Sequence, residues 1–261
     1  MALSDEELER YARHIVLREI GGPGQRALRE ANVLVVGAGG LGSPALMYLA
    51  AAGVGRLAVV DDDHVSLSNL QRQVLHDTGD VGRAKTDSAA EALARINPGA
   101  TVETHALRLT ADTVDALVEG RTAVLDGSDG FETREIVNAA CARARVPLIS
   151  ASLGTWEGQL TTFKPWEGGP CRACVFPQRP APGLAPSCAE AGVMGALAGV
   201  MGSLQASETI KEIAGAGESL AGRLLLWDAL SAETRTIRVK ARDDCPVCAP
   251  LRGAWTAWRT G

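Results

Sequence analysis

The sequence predicts an α/β protein built on a Rossmann-like mixed sheet, parallel in its N-terminal half, more antiparallel in its C-terminal half, with helices on both faces. Three observations predict it. Short apolar runs alternate with helical stretches between Val33 and Ala151, a glycine-rich turn follows the first of those runs directly, and beyond Gly154 the runs succeed one another with few helices between them.

Ser4 and Glu7 make a capping box at the start of a short helix running to about His14, the serine oxygen accepting from an orphan amide while the glutamate reaches back to the cap. Gly21-Gly22-Pro23-Gly24 breaks that helix, and Gln25 to Glu30 forms another that leads into the buried strand Val33-Leu34-Val35-Val36. The turn from Gly37 to Gly42 precedes a helix over 44–52 and a second apolar strand over 56–60. Strand, helix and strand in about 30 residues make a right-handed parallel unit. The alternation goes on through a helix over 85–96, stopped by Asn97-Pro98, a strand over 101–107, a helix over 112–119, a strand over 123–126, a helix over 133–144 and a strand over 147–151. Strands over 159–164, 222–228 and 234–240 lack such crossovers and read as antiparallel. A proline-rich loop over 177–186 and an Ala/Gly-rich helix from about Gly192 to Ala214 lie among them. No repeat or low-complexity linker divides the chain, so residues 1–261 read as one domain.

With aromatics at 4% and 29 glycines, the core must rest on Ala, Val and Leu, helices approaching closely through small side chains. A net charge of −5 excludes a broad basic nucleic-acid surface. Asp5, Glu6 and Glu7 stand where a signal peptide needs a basic start, and the apolar stretch over 193–204 is interrupted by glycines and followed by Gln205 and Glu208. A cytoplasmic protein with neither a membrane nor a nucleic-acid partner is expected. Six cysteines in such a chain point to metal or reactive thiols before disulfides.

Gly37-Ala38-Gly39-Gly40-Leu41-Gly42 fits G-x-G-x-x-G between a strand and a helix, where backbone amides and a helix N-terminus face phosphate. Asp61, ending the second strand, is placed to take ribose hydroxyls. These features suit a nicotinamide or flavin enzyme as well as an ATP enzyme. The polar set downstream favours ATP: Asn69-Leu70-Gln71-Arg72-Gln73, Lys85 and Asp126-Gly127-Ser128-Asp129 supply cations for a polyphosphate and a carboxylate for Mg²⁺. Taken singly, Arg72 and Lys85 would be read as solvated surface charges.

The cysteines divide into sets. Cys171-x-x-Cys174 and Cys245-x-x-Cys248 together make a closed tetrahedral Cys₄ site for structural Zn²⁺, tying the C-terminal part to the loop before the proline-rich segment; a redox reading would leave one pair unexplained. Cys141, in an Ala-rich helix, reads as a core residue. Cys188, between the proline-rich loop and a helix, is either a thiol activated by helix amides or a small residue dispensable in catalysis.

Arg10-Tyr11-Ala12-Arg13, Gly37 to Gly42, Ser66 to Gln73, Lys85, Asp126 to Asp129 and Ser187-Cys188-Ala189-Glu190-Ala191-Gly192-Val193 occur in an order that resembles the bacterial ubiquitin-activating-enzyme-like adenylyltransferases. Those serving molybdopterin synthase and thiamine biosynthesis are the nearest kinds. The resemblance implies a nucleotide site of Gly37, Gly39, Gly40, Gly42, Asp61, Asn69, Arg72, Gln73, Lys85 and Asp129. In it Gly39 and Gly40 approach the ATP phosphates, Asp61 holds the ribose and Asp129 holds Mg²⁺. Arg13 would reach the phosphates of a second subunit in a homodimer, and Arg13, Arg72, Lys85, Asp129 and Cys188 form the catalytic set, Cys188 through a transient thioester or mixed disulfide. One departure is visible: Gly130 stands where members usually carry Asn.

The activity implied is ATP-dependent adenylylation of the C-terminal Gly-Gly carboxylate of a small ubiquitin-like sulfur carrier, with sulfur from a donor protein in trans. A nicotinamide-dependent oxidoreductase and a non-catalytic interaction subunit of the same fold are the alternatives. An adenylating enzyme acting on modified tRNA is disfavoured by the zinc pairs and the negative charge.

Overall fold

The computed structural model describes residues 3–179 and 191–253, so Cys188 and the proline-rich loop from 180 onward lie outside the described residues. Eight strands form one sheet: β1 Asn32–Val36, β2 Arg56–Val60, β3 Thr101–His105, β4 Ala123–Asp126, β5 Leu148–Leu153, β6 Glu157–Phe163, β7 Arg223–Asp228 and β8 Glu233–Arg238. Their spatial order is β3-β2-β1-β4-β5-β6-β7-β8. Pairings from β3 to β5 are parallel, and those from β5 to β8 antiparallel, which is the predicted change of direction.

The helices are α1 Asp5–Arg10, α2 Ala12–Ile15, α3 Gly21–Glu30, α4 Gly42–Ala51, α5 Lys85–Ile96, α6 Val114–Val118, α7 Phe131–Ala144, α8 Arg172–Val175 and α9 Gly195–Ala214. Alternate residues of the central strands serve opposite faces, because strand side chains have a period of two. Val33, Val35, Leu57, Val59 and Leu125 meet Leu28 of α3, Leu46 and Leu49 of α4, Leu93 of α5 and Leu197 and Met201 of α9. Leu34, Val36, Ala58, Val60 and Val124 meet Val114 and Leu117 of α6 and Val137 and Cys141 of α7. Strands buried on both faces are largely apolar, as β1 is over Val33–Val36 and β4 over Ala123–Leu125, with Asn32 and Asp126 standing at their ends. By contrast β8 is exposed at every position, and its Glu233, Arg235 and Arg238 guard the sheet edge against pairing with another chain.

Local boundaries depart from expectation at two places near the N-terminus. The predicted first helix divides at Tyr11, although its Ser4–Glu7 capping box forms with both bonds present. The glycine-proline run begins α3 instead of interrupting helical structure. Pro23 sits in the first turn, where its missing N–H has no intrahelical acceptor to lose, and Gly21, at φ 57°, makes the turn into the helix. Farther on, β5 runs two residues beyond its predicted end, since its antiparallel ladder with β6 continues to Leu153 opposite Gly158.

Strand order places the functional crevice. From β1 the chain passes to β2 on one side and returns, after β3, to β4 on the other. The C-terminal ends of β1 and β4 therefore splay their loops apart at a topological switch point, the usual ligand position in an open α/β sheet.

Candidate active site

The glycine turn closes over the end of β1 by backbone contact. Gly37 has φ 93°, and its N–H donates to the Val60 carbonyl at 2.8 Å. A Cβ on Gly42 would stand 1.8 Å from the Gly37 oxygen, and one on Gly37 would stand 3.3 Å from the Gly127 oxygen. The turns after β1 and β4 thus touch with no room for side chains. Gly42→Ala is expected to cost about 3 kcal/mol or more through overpacking of backbone, a fall of about 6 °C or more in Tm by calorimetry; an unchanged Tm would refute this account of the turn.

Neither the Gly39 nor the Gly40 amide has a protein acceptor among the described residues. Around them stand the side chains of the segment after β2. Gln73 is buried, its Nε2 3.6 Å from where a Gly39 Cβ would lie, and its Oε1 has no partner among the described residues. The Arg72 stem passes 3.4 Å from the corresponding point on Gly40, and its Nη1 donates to the Ser68 carbonyl at 3.2 Å. Asn69 shapes this turn through its carbonyl, which accepts from the Arg72 and Gln73 amides at 3.0 Å each. Unspent amides, an orphan buried oxygen and a guanidinium around two bare glycines make a cradle suited to phosphate.

At the end of β2, Asp61 Oδ2 accepts from the Ala38 amide at 2.7 Å and Oδ1 from the Asp63 amide at 2.9 Å. Each carboxylate oxygen keeps a further lone pair, so both can still receive a hydroxyl. Burial pushes the Asp61 carboxyl above its ordinary range, against the opposing pull of the Lys85 ammonium and the two amide bonds. Lys85 begins α5 with its side chain buried, and its Nζ reaches Asp63 Oδ2 at 2.8 Å. That partner was not evident from the sequence. Because Asp63 is 69% exposed, the pair is open to solvent on its acidic side.

The loop after β4 separates two aspartates with different environments. Asp126 is fully buried and accepts from the Ser128 amide, the Ser128 hydroxyl and the Ser150 hydroxyl at 3.1, 2.6 and 3.3 Å, so it braces the loop. Asp129 is exposed and has no ion pair among the described residues. Gly130 is the N-cap of α7 with ordinary extended backbone and no side-chain capping bond, so the position would admit the asparagine it lacks. Arg134 of α7 donates to the Ser128 carbonyl. Gln205 of α9 donates to the Asp126 and Ile149 carbonyls at 3.0 and 2.8 Å, locking the loop to the helix that covers this face.

The structure therefore brings Gly37, Gly39, Gly40, Gly42, Asp61, Asn69, Arg72, Gln73 and Lys85 to one end of the sheet, with Asp129 on the adjoining loop. Arg13 is not among them: it is exposed on α2, which packs against α1 and α3. Sequence reasoning passed over Asp63, His76, Arg134 and Gln205, whose contacts join segments far apart in the chain.

The four cysteines of the C-x-x-C pairs gather as predicted. All are buried, their sulfurs lie within 4.8 Å of one another, and Cys171 stands 4.0 Å from Cys174 and 3.6 Å from Cys245, with Cys174 3.5 Å from Cys248. Thiolates 2.3 Å from a tetrahedral zinc stand about 3.8 Å apart, whereas disulfide sulfurs stand about 2 Å apart, so the spacing suits an ion. Burial raises the Cys171 thiol and lifts Cys248 to about 11. Burial also acts against Cys245, but hydrogen bonds from the Cys248 and Val247 amides and the Cys174 and Cys171 thiols together outweigh it and leave Cys245 at about 7. The Arg242 amide points at the Cys174 sulfur from 3.4 Å, an outer donor of the kind that accompanies thiolate ligands. Cys141, in contrast, is buried in the α7 core, and that burial pushes its thiol pKa well above the ordinary value.

Among the described residues, no helix is long and apolar enough to cross a membrane. The sequence model of the ThiF family matches residues 11–247. The SAMP-activating enzyme E1 of Haloferax volcanii is 46% identical over 248 residues, 95% of this chain and 91% of the relative. The sulfur carrier protein adenylyltransferase of Thermus thermophilus is 46% identical over 252 residues, 95% of this chain and 93% of the relative. The adenylyltransferase and sulfurtransferase MOCS3 of Bos taurus is 51% identical over 248 residues, but the chain spans only 54% of its length. Among solved structures, the microcin C7 biosynthetic enzyme MccB shares the fold with a TM-score of 0.82 at 23% identity, over 94% of this chain and 77% of that one. A turn, a crevice and a cysteine cluster built as described, together with a family match over most of the sequence, place the chain in the ThiF family.

Proposed function

We propose that the protein is an adenylyltransferase that joins the C-terminal carboxylate of a small ubiquitin-like sulfur carrier to the α-phosphate of ATP, releasing pyrophosphate. The observation that carries this reading is the cradle at the switch point, where two unspent glycine amides lie beside Arg72 and Gln73, with buried Lys85 bonded to Asp63 just past β2. The names of the Haloferax and Thermus relatives support the substrate class.

The chemistry suits these residues. A C-terminal carboxylate has a pKa of about 3.3 to 3.7 and is already ionised at neutral pH, so no general base is needed. Its oxygen forms a bond to the α-phosphorus as the bond to pyrophosphate breaks. The obstacle is an anion approaching a polyanion, which positioned cations lower by stabilising charge on the leaving group. Arg72 and Lys85 would hold the phosphates, Asp61 the ribose and Asp129 a Mg²⁺, which when bound neutralises charge between phosphates. A Gly-Gly terminus fits a narrow approach because it carries no side chains. Arg13, exposed on its own chain, would serve a second copy in a homodimer, and sulfur would come from a separate donor protein. The cysteine cluster would hold one structural Zn²⁺.

Carrier-dependent exchange of labelled pyrophosphate into ATP, assayed with candidate carriers, tests the proposal directly. Exchange with at least one Gly-Gly carrier and a rise in Tm with Mg-ATP are expected. A rise with NADH and none with Mg-ATP would favour an oxidoreductase.

A further inference from the structure

Both backbone polar groups of Ala38 are clamped. Its N–H is taken by Asp61, and its carbonyl, 2.9 Å from His76 Nε2, is approached also by the Ser43 hydroxyl at 3.3 Å. His76 itself is buried, and its Nδ1 lies 2.7 Å from the Ser88 hydroxyl of α5. That hydroxyl lies 2.7 Å from Asp80 Oδ2 as well. Asp80 is served independently, by Arg83 at 2.6 Å and by the Asp77 amide at 3.1 Å.

Proton accounting fixes the Nε2 end of the ring. A carbonyl offers only lone pairs, so the contact to Ala38 requires hydrogen on Nε2. The single Ser88 hydroxyl proton can go to Asp80 Oδ2 or to Nδ1, and in either arrangement Nε2 carries the hydrogen that meets Ala38. Burial lowers the His76 pKa, Lys85 adding to that effect while the Ala38 carbonyl, Asp80 and Asp61 oppose it.

We infer that His76 is a positioning residue for nucleotide binding, its Nε2–H holding the Ala38 carbonyl so that the Gly39 amide is presented to phosphate. The reason lies in the peptide plane. Across a trans peptide the carbonyl of Ala38 and the N–H of Gly39 point in opposite directions, so fixing one aims the other. The Gly39 amide has no acceptor among the described residues to hold it by itself. Ser88 acts one step farther out, holding the ring so that Nε2 donates to the turn. This role rests on the ATP reading above.

Two measurements test it. In wild-type protein labelled with ¹⁵N-histidine, the His76 resonances, assigned by their loss in His76→Gln, should show Nε2 protonated; a bare Nε2 overturns the inference. Calorimetric binding of Mg-ATP should weaken about tenfold in His76→Phe, which keeps ring volume without a donor, the effect of losing one orienting hydrogen bond. His76→Gln, whose amide nitrogen can reach the same carbonyl, should stay within about threefold of wild type, and KM for the carrier should not move in either variant. Wild-type affinity in a folded His76→Phe protein overturns the inference. Should that variant not fold, the tautomer measurement on wild type still decides. Failure of wild type to bind Mg-ATP at all would sink the adenylyltransferase reading, while the tautomer would still report on the contact itself.

Discussion

Lys85→Ala is expected to lower carrier-dependent ATP–pyrophosphate exchange by on the order of 10²- to 10³-fold or more, to the assay background, because it removes a preorganised cation from the proposed phosphate site. Asp129→Ala is expected to do the same through loss of the metal carboxylate. The two should differ in their structural cost. Lys85 is buried and bonded to Asp63, so its loss leaves a carboxylate that water must resolvate; Asp63 is largely exposed, which keeps that penalty small. Asp129 is exposed and unpaired among the described residues, so its loss should leave Tm nearly unchanged. Exchange at the wild-type rate by both folded variants would reject the site assignment, whatever the affinity for ATP.

Cys171→Ser combined with Cys245→Ser is expected to abolish metal binding and release the segment around residues 241–253 from the body. Structural zinc in small sites contributes about 10 to 16 kcal/mol at neutral pH, as much as the net stability of a whole domain at about 5 to 15 kcal/mol. Here the cluster is a satellite of the main cores, packed with Trp166, Val247 and Leu251. Local loss of order around the pairs is therefore expected before global unfolding. Metal analysis should find about one zinc per wild-type chain and none in the variant, and limited proteolysis should cut the variant's C-terminal part faster. Stoichiometric zinc retained in the double variant would rule out the four-thiolate site.

The strands, the switch to antiparallel pairing, the glycine turn and the cysteine pairs were legible because each is written in a short stretch. Apolar runs declare strands, G-x-G-x-x-G declares its own turn, and cysteine pairs with two residues between them declare a shared thiol cluster. Partners across the crevice were not legible. The sequence assigned Lys85 to phosphate without showing its partner Asp63, and His76 reads as an isolated histidine until the segment after β2 brings it to Ala38. Gln205 offered no signal either, since its acceptors are the carbonyls of two other strands.

By itself the sequence determined which segments are strands and helices, where the chain turns too tightly for a Cβ, and that four thiols would act together. Tertiary structure alone decided which side chains face the crevice and which carbonyl each one holds. The physical reason is range: backbone preference and hydrophobic periodicity act over a few residues, whereas hydrogen bonds between distant segments exist only after strand order and register have been set by packing both faces of the sheet.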